Sequence, residues 1–280
     1  MNFKAELVAC FGQPVAENPT GVMQEAAFAA AGLPWRYLTI EVDPGGLVDA
    51  VRGARAMGFR GFNCTIPHKV AVLPLLDELS KEARIIVAVN TVRREGDRFI
   101  GENTDGKGFL RGMTHDAGMD PRGKRVVLLG AGGAARAIAT ELLLAGVEEL
   151  IVVNRSVERA APMVEDLQPH GPIRFVPWRV QYAVGPETDL LVNATSLGLY
   201  PNVDWMPDVD LGRARCLVAD AVFNPPVTKF LAAAQARGLP TLDGLTMLVY
   251  QGFIGFTMWT GVAPDEAVMK QTLRKAMVES

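Results

Sequence analysis

The chain has 280 residues, of which 49% are hydrophobic and 21% charged, a balance typical of a globular protein with a substantial apolar core. Its 28 glycines and 18 prolines are too few for a collagen-like or low-complexity sequence. The net charge of −3, without a long run of lysine and arginine, argues against nucleic acid as a partner. At about 150 residues per domain, the length predicts two domains.

The three cysteines, Cys10, Cys64 and Cys216, lie far apart in apolar stretches. Their odd number and the absence of a C-x-x-C spacing argue against a disulfide framework. The three histidines have no ligand spacing, so we expect no metal site. Buried thiols in a reducing cytoplasm are the simplest interpretation.

Two segments bear on association with a membrane. The first ten residues are too short and too charged for a signal peptide. The 21 uncharged positions between Asp243 and Asp265 are long enough to cross a bilayer. Because Gln251 and four glycines interrupt that stretch, we predict a buried helix and no membrane partner.

Short apolar runs and helical patterns alternate through the first hundred residues. This βαβ order predicts a parallel sheet with helices on both faces. Near residues 95–97 the pattern changes to two short strands joined by Glu-Gly-Asp, which predicts a hairpin. The predicted strands are 7–11, 36–42 and 61–66, and the predicted helices are 21–31 and 47–57.

A second alternating series begins near Asp105 and continues to the end of the chain. Its predicted strands are 125–129, 150–153, 173–176, 190–193 and 216–219. Its predicted helices are 105–113, 134–144, 157–167, 227–237, 245–259 and 265–277.

A glycine-rich turn follows the apolar run that ends at Leu129 and opens a helix. The sequence GAGGAARA, residues 130–137, fits G-x-G-x-x-G/A with Gly130, Gly132 and Ala135 in the key places. Gly130 permits the tight turn, and Gly132 lets a pyrophosphate approach the backbone. Ala135 keeps the helix close to the strand, and the free N–H groups of the helix start face the phosphates. A strand, helix and second strand of suitable length predict a dinucleotide site.

The end of the following strand indicates which dinucleotide is bound. An NAD enzyme usually places Asp or Glu there to hold the ribose hydroxyls. This chain has VVNRSVER, with Asn154, Arg155, Ser156 and Arg159. A guanidinium binds a 2′-phosphate that a carboxylate would repel, so we predict NADP as the cofactor.

Several polar residues stand at the ends of apolar runs in the first part of the chain. They are Asn63, Thr65, Lys69, Asn90 and the Asn103-Thr104-Asp105 run. Open α/β sheets bind ligands at strand ends, and this set suits a small polyhydroxylated substrate with a proton relay. Each also has a structural interpretation, with Lys69 as a surface lysine and Asp105 as a helix cap.

Eight segments together resemble the shikimate dehydrogenase family in order and spacing, over nearly the whole chain. They are GFNCTIPHK, AVNT, GENTDGKGF, GAGGAARA, VVNRS, NATSLG, DAVFNPPVT and DGLTMLVYQGFIGF. The resemblance implies an α/β fold of two domains: a Rossmann-like NADP-binding domain, and an α/β substrate domain with a mostly parallel sheet. It places the substrate domain at 1–104 plus 240–280 and the NADP domain at 105–239. It also implies reversible oxidation of the ring 3-hydroxyl of shikimate to 3-dehydroshikimate.

The resemblance assigns roles to individual residues. Lys69 matches the catalytic lysine of the family and Asp105 its partner. A desolvated lysine can act as base in one direction and as acid in the other, while the aspartate fixes its geometry. The matching substrate contacts are Asn18, Thr20, Thr65, Asn90 and Gln251. The matching cofactor contacts are Gly130, Gly132, Gly133, Ala134, Ala135, Asn154, Arg155, Ser156, Arg159, Thr195, Gly244 and Met247.

The chain departs from the family in two places. The family pattern G-x-P-x-x-H-S-x-S-P has two serines that bind the substrate carboxylate, and here Asn18 and Thr20 replace them. Glu17 replaces the histidine, and Phe223 stands where tyrosine is common. The catalytic pair is intact while the recognition residues are altered. Three functions therefore stay open: a shikimate dehydrogenase, a dehydrogenase of quinate or a related cyclic polyol acid, and a non-catalytic NADPH-binding regulator. A monomer and a homodimer are both compatible with the sequence.

Overall fold

The computed structural model describes residues 3–279, and the chain divides into two compact units. The terminal unit contains the residues up to Thr104 and those from Gln251 onward. The central unit runs from Asp105 to Tyr250.

The terminal unit begins with a six-stranded sheet and short helices. In chain order these elements are β1 (Glu6–Gly12), α1 (Thr20–Ala30), β2 (Trp35–Glu41), α2 (Leu47–Ala56), β3 (Gly61–Cys64), α3 (His68–Ala71), β4 (Glu78–Leu79), α4 (Lys81–Ile86), β5 (Thr91–Glu95) and β6 (Arg98–Glu102). The strand order is β2-β1-β3-β5-β6-β4. The predicted hairpin is confirmed, since β5 and β6 pair antiparallel around Gly96, whose φ is +59°.

The sheet of the terminal unit is mostly parallel. β1 pairs parallel with β2 and β3, and β4 pairs parallel with β6. One face carries an aromatic cluster in which the ring centroid of Phe62 lies 4.8 Å from that of Phe11 and 5.3 Å from that of Phe99. Helix α2 adds Leu47 and Val51 to this core, as its apolar spacing predicts.

The central unit contains a fully parallel six-stranded sheet in the order β14-β13-β11-β7-β8-β9. Its elements are α5 (Asp105–His115), β7 (Arg125–Leu129), α6 (Gly133–Leu144), β8 (Glu149–Asn154), α7 (Val157–Leu167), β9 (Ile173–Pro177), β10 (Tyr182–Ala183), β11 (Leu190–Asn193), β12 (Val209–Asp210), β13 (Leu217–Asp220), α8 (Lys229–Gln235) and β14 (Thr241–Leu242). The strands read as continuous apolar runs because helices cover both faces of such a sheet.

The register of the central strands brings their carboxyl ends to one edge. Leu129 of β7 pairs with Val153 of β8 and with Asn193 of β11, and Asn193 pairs with Asp220 of β13. The residues that follow these strands therefore lie side by side. This is the edge at which parallel α/β sheets bind ligands.

The last two helices are α9 (Gly244–Thr260) and α10 (Glu266–Glu279). The predicted helix within the uncharged stretch is confirmed as α9, which buries Tyr250, Phe256 and other large side chains. The two units divide after Tyr250, inside α9, rather than at residue 240 as the sequence analysis expects. The reason is that β14 pairs with β13 and so belongs to the central sheet. Within residues 3–279, no helix is long and apolar enough to cross a membrane.

Candidate active site

The glycine-rich turn of the central unit lies between β7 and α6. Gly130 has φ +110°, a conformation that glycine adopts without strain, and a Cβ there would lie 2.8 Å from the Ala194 carbonyl oxygen. Gly132 and Gly133 are exposed, and a Cβ at either would meet nothing within 4 Å. Ala135 is fully buried against the sheet. The start of α6 thus presents backbone N–H groups in open space, as a phosphate requires.

The end of β8 carries a cation and no carboxylate. Asn154 donates from Nδ2 to the Ser156 carbonyl oxygen (2.8 Å), which shapes the turn into α7. The Ser156 hydroxyl oxygen caps α7 by accepting from the Arg159 N–H (3.3 Å), while the same hydroxyl donates to Glu158 (2.8 Å). Ser156 therefore has a structural role at the helix start. Arg155 is exposed and projects from the turn.

Arg155 lines a cavity of about 260 Å³ within the central unit. The same cavity is lined by Arg179, which belongs to none of the sequence motifs. Neighbouring Trp178 is buried and donates from Nε1 to the Asp208 carbonyl oxygen (3.2 Å). Two guanidinium groups, against the single acidic residue Asp208 of the same lining, leave the cavity positively charged, as a phosphate requires. Arg179 stands one strand away, after β9, and only the fold brings it beside Arg155.

Polar side chains join the ends of β11 and β13. The Asn193 amide donates from Nδ2 to Asp220 Oδ1 (2.9 Å), and its oxygen accepts from the N–H (3.1 Å) and hydroxyl (2.7 Å) of Thr195. Asp220 also accepts from the Thr228 hydroxyl (2.7 Å) and the Val222 N–H (2.9 Å). Burial raises the pKa of Asp220 to about 7, against these three donors, which lower it. The network fixes Thr195 beside the glycine-rich turn.

The start of α9 packs tightly on the segment after β13. A Cβ at Gly244 would lie 2.2 Å from the Val222 carbonyl oxygen, so glycine is needed at this position. Met247 is half-buried one turn later. Phe223 is also half-buried and brings no hydroxyl to this segment. The central unit contains all three residues predicted to contact the nicotinamide: Thr195, Gly244 and Met247.

Asp105 is the first residue of α5 and is half-buried. It lies inside the helix, not at the flanking cap position. Lys69 belongs to the terminal unit, in the four-residue helix α3.

Lys69 lies near two buried thiols of the terminal unit. Burial raises the pKa of Cys10 to about 11, and the Lys69 ammonium opposes that rise. Burial also raises the pKa of Cys64, again with an opposing effect of Lys69. The lysine backbone is held by a hydrogen bond from the Val89 N–H to its carbonyl oxygen (2.8 Å). Lys69 therefore stands at the ends of β1 and β3, and its side chain is half-buried.

A buried amide and hydroxyl network lies beside these strand ends. Asn63 accepts from the Tyr37 hydroxyl (2.7 Å) and donates to the Asn90 carbonyl oxygen and the Thr91 hydroxyl (both 2.9 Å). Asn63 thus supports the network from within. Asn90 donates from Nδ2 to the Thr104 hydroxyl (3.0 Å) and accepts from the Thr104 N–H (2.7 Å).

The same network reaches α9, whose second half belongs to the terminal unit. The Thr104 hydroxyl lies 3.5 Å from Gln251 Oε1, so Asn90 and Gln251 are brought together through one threonine. Thr65 is half-buried after β3, and its N–H donates to the Phe11 carbonyl oxygen (2.9 Å). Three of the five candidate substrate residues thus lie in one part of the terminal unit. They are Thr65 after β3, Asn90 before β5, and Gln251 in α9.

The remaining two candidate substrate residues, Asn18 and Thr20, stand at the start of α1. Asn18 Oδ1 accepts from the Thr20 N–H (3.0 Å), and Asn18 Nδ2 lies 3.7 Å from Cys10 Sγ. Cys10 is also the thiol whose pKa the Lys69 ammonium affects. The start of α1 and Lys69 are therefore neighbours of the same side chain.

Three family models match successive parts of the chain. The substrate binding domain of shikimate dehydrogenase matches residues 10–92, the shikimate / quinate 5-dehydrogenase model residues 114–199, and the C-terminal domain of shikimate 5′-dehydrogenase residues 244–274. A shikimate dehydrogenase (NADP(+)) of Moorella thermoacetica is 46% identical, over 97% of this chain and 93% of the relative. The chain belongs to the shikimate dehydrogenase family.

Solved structures of two similar proteins superpose on nearly the whole of this chain. The ligand-free 5-ketofructose reductase of Gluconobacter sp. strain CHM43 is 46% identical with a TM-score of 0.94, over 98% of this chain and 99% of that one. The shikimate 5-dehydrogenase of Thermus thermophilus, in complex with NADP(H) and shikimate, is 36% identical with a TM-score of 0.86, over 97% and 99%. The chain is thus similar in structure to proteins that are named for two different reductions or oxidations.

Proposed function

We propose that this protein is an NADP-dependent shikimate dehydrogenase, which reversibly oxidises the ring 3-hydroxyl of shikimate to 3-dehydroshikimate. The observation that carries the proposal is the full-length match to relatives named shikimate dehydrogenase (NADP(+)), the first at 46% identity. The Thermus thermophilus structure, solved with NADP(H) and shikimate, supports the same pairing of cofactor and substrate.

The central unit fits NADP in three respects. Gly130, Gly132, Gly133, Ala134 and Ala135 would hold the pyrophosphate on the exposed start of α6. Arg155 and Arg179 on their shared cavity would hold the 2′-phosphate, with Asn154, Ser156 and Arg159 shaping the turn beside it. Thr195, Gly244 and Met247 would contact the nicotinamide side. When bound, the oxidised cofactor supplies a hydride acceptor.

In this proposal Lys69 moves the proton. Oxidation of a secondary alcohol removes a hydride from carbon and a proton from oxygen, and the neutral amine of Lys69 accepts that proton. In the reverse direction its ammonium donates the proton to the carbonyl oxygen. Asp105 would hydrogen-bond the lysine and the reacting hydroxyl, which keeps both in a reactive geometry.

The other candidate residues would position the ring. Thr65, Asn90 and Gln251 offer hydroxyl and amide groups that can bind the ring hydroxyls, and the Thr104 bridge holds the two amides in place. Asn18 and Thr20 would bind the carboxylate of the substrate, since both carry hydrogen-bond donors. We place the enzyme in the cytoplasm, which the three buried free cysteines support, as a monomer or homodimer.

A second candidate function is the reduction of a polyhydroxy ketone. It is favoured by the 5-ketofructose reductase structure, which at 46% identity is as similar in sequence as the Moorella thermoacetica shikimate dehydrogenase and has a TM-score of 0.94. The reaction is the same hydride and proton transfer, with a different molecule in the substrate site.

The test is a spectrophotometric assay of the purified full chain. We expect NADPH formation when shikimate is added with NADP, and a slower reaction with quinate or with NAD. Absence of NADP reduction with shikimate, under conditions in which the protein binds NADP, would contradict the proposal.

A further inference from the structure

The helix that carries Lys69 is too short to be stable on its own. Helix α3 spans only His68–Ala71, and isolated helices of fewer than about 12 residues are marginal in water. Pro67, at the position that flanks the helix start, has no side-chain group that could cap it. The position of Lys69 therefore depends on the hydrogen bonds between α3 and the rest of the terminal unit.

Two backbone hydrogen bonds hold α3 from one part of the sheet. The His68 N–H donates to the Thr65 carbonyl oxygen (2.8 Å), just after β3. The Val89 N–H, just before β5, donates to the Lys69 carbonyl oxygen (2.8 Å). In the strand order β2-β1-β3-β5, both bonds come from the β3 and β5 side.

The side chain of His68 supplies a bond from the other side. Its Nε2 lies 2.7 Å from the Val42 carbonyl oxygen, and Nε2 is the donor because a carbonyl oxygen only accepts. Val42 directly follows β2. The imidazole of a residue that follows β3 is thus bonded to the end of a strand two positions away in the sheet.

The acceptor of this bond is itself held in place. Val42 is 7% exposed, and its N–H donates to the Gly12 carbonyl oxygen (3.0 Å) at the end of β1. A Cβ at Gly12 would lie 2.2 Å from Thr65 Cγ2, so the end of β1 and the segment after β3 are in close contact. The hydrogen bond of His68 therefore anchors α3 to a closely packed edge of the sheet.

Packing alone does not explain a histidine at position 68. The residue is fully buried, and its Nδ1 has no hydrogen-bond partner among the residues that the structure describes. A buried polar atom without a partner lowers stability, so an apolar side chain of similar size would avoid that cost. What the imidazole adds is the hydrogen bond from Nε2 to Val42.

We infer that His68 is a positioning residue, which anchors α3 and thereby holds the Lys69 amine at the reacting hydroxyl of the substrate. The inference rests on the proposed function, because it needs Lys69 as the group that transfers the proton. A displacement of about 1 Å can cost on the order of 100-fold in rate. His68 acts through Lys69 and takes no proton itself.

Two substitutions separate the hydrogen bond from the volume of the ring. His68→Gln keeps an N–H donor that can reach Val42, whereas His68→Leu fills similar space without a donor. We expect kcat with shikimate and NADP to fall by about 10- to 100-fold in the leucine variant, and the glutamine variant to recover most of that loss. The dissociation constant for NADP should not change, because the phosphate loop belongs to the central unit.

The assay must distinguish a displaced lysine from a loss of folded protein. We therefore divide the rate by the concentration of sites titrated with NADP. Slower proton transfer should also raise the solvent deuterium isotope effect on kcat in the leucine variant, which a smaller folded fraction would not do. His170→Leu, at a half-buried position of the central unit, is the control. His68→Asn, whose shorter side chain does not reach Val42, replaces the leucine variant if that variant does not fold.

Hydrogen exchange of the Val89 amide tests the anchor without any substrate. Because this N–H is bonded to the Lys69 carbonyl oxygen, a loosened α3 should expose it. Exchange should be roughly 2- to 10-fold faster in the leucine variant, the factor of one hydrogen bond, and near that of the wild type in the glutamine variant. If the wild type does not turn over shikimate, the proposed function falls and this measurement still decides whether His68 anchors α3. Equal kcat in the two His68 variants, or Val89 exchange that does not respond to His68→Leu, would overturn the inference.

Discussion

The Asn193 side chain donates a hydrogen bond of 2.9 Å to the Asp220 carboxylate and thereby joins the carboxyl ends of two parallel strands, β11 and β13. Thr195 is held by the oxygen of the same amide. The buried Asp220 carboxyl group thus supports, through Asn193, the loop that contains Thr195. The proposed function places this loop next to the nicotinamide.

The stability of the protein should reflect the titration of Asp220. Burial raises the pKa of Asp220 from 3.8 to about 7 in the folded protein. Between pH 4 and 7 the folded state keeps a proton that the unfolded state has lost, so the free energy of unfolding falls as the pH rises. The slope from this group is at most about 1.4 kcal/mol per pH unit.

Asp220→Asn removes this titration while it keeps a group of similar shape. The free energy of unfolding of the wild type minus that of the variant should decrease from pH 4 to 7 and then stay constant. Denaturant unfolding at each pH measures it, with Asp210→Asn at an exposed position as control. A difference that does not change with pH would contradict the raised pKa.

Lys69→Ala should lower turnover by about 10²- to 10⁴-fold, the usual contribution of a positioned acid–base group. The affinity for NADP should change little, because Lys69 belongs to the terminal unit and the phosphate loop to the central one. Steady-state kinetics and NADP titration measure the two effects. Lys81→Ala, at an exposed position of α4, is the control. Near-normal turnover of the Lys69 variant would show that the lysine does not transfer the proton.

Arg155→Ala should weaken binding of NADP much more than binding of NAD, since NAD has no 2′-phosphate. Removal of a charge-assisted contact costs about 1.5–3 kcal/mol, or roughly 10- to 150-fold in affinity. Arg179→Ala should have the same selective effect, because both arginines line one cavity. Dissociation constants for both dinucleotides are the measurement, and exposed Arg237 offers a control substitution. Equal losses for NAD and NADP would refute the assignment of the phosphate site.

Thr20→Val preserves shape and removes the buried hydroxyl at the start of α1. Because Asn18 and Thr20 stand where the family binds the substrate carboxylate, kcat/KM for shikimate should fall by the 1.5–3 kcal/mol of a hydrogen bond to a charged group, roughly 10- to 150-fold. Unchanged shikimate kinetics would show that the carboxylate is held elsewhere. Thr114→Val, whose hydroxyl is bonded within its own helix to the Leu110 carbonyl oxygen (3.0 Å), is the control.

The fold was largely predictable from the sequence, because buried parallel strands leave apolar runs and most helices have amphipathic spacing. The predicted strand 125–129 and helix 157–167 coincide with β7 and α7. The short elements β4, α3 and α4 escaped prediction because none of them is long enough, or apolar enough, to show a hydrophobic period.

The candidate sites were predictable only where a local motif carries the chemistry. The Gly130–Ala135 loop is such a motif, since strand, turn and helix are contiguous. Arg179 was missed because its place beside Arg155 depends on the pairing of β8 with β9, two segments separated by α7. The Asp220 network was missed for the same reason, since Asn193 and Asp220 meet only through the β11–β13 register.

The central claim, hydride transfer from substrate carbon to NADP, is tested most directly with shikimate that carries deuterium at ring carbon 3. After turnover by the purified full chain, mass spectrometry of the reduced cofactor should find one deuterium in each NADPH formed. NADPH that contains only protium, or no NADPH at all, would contradict the account.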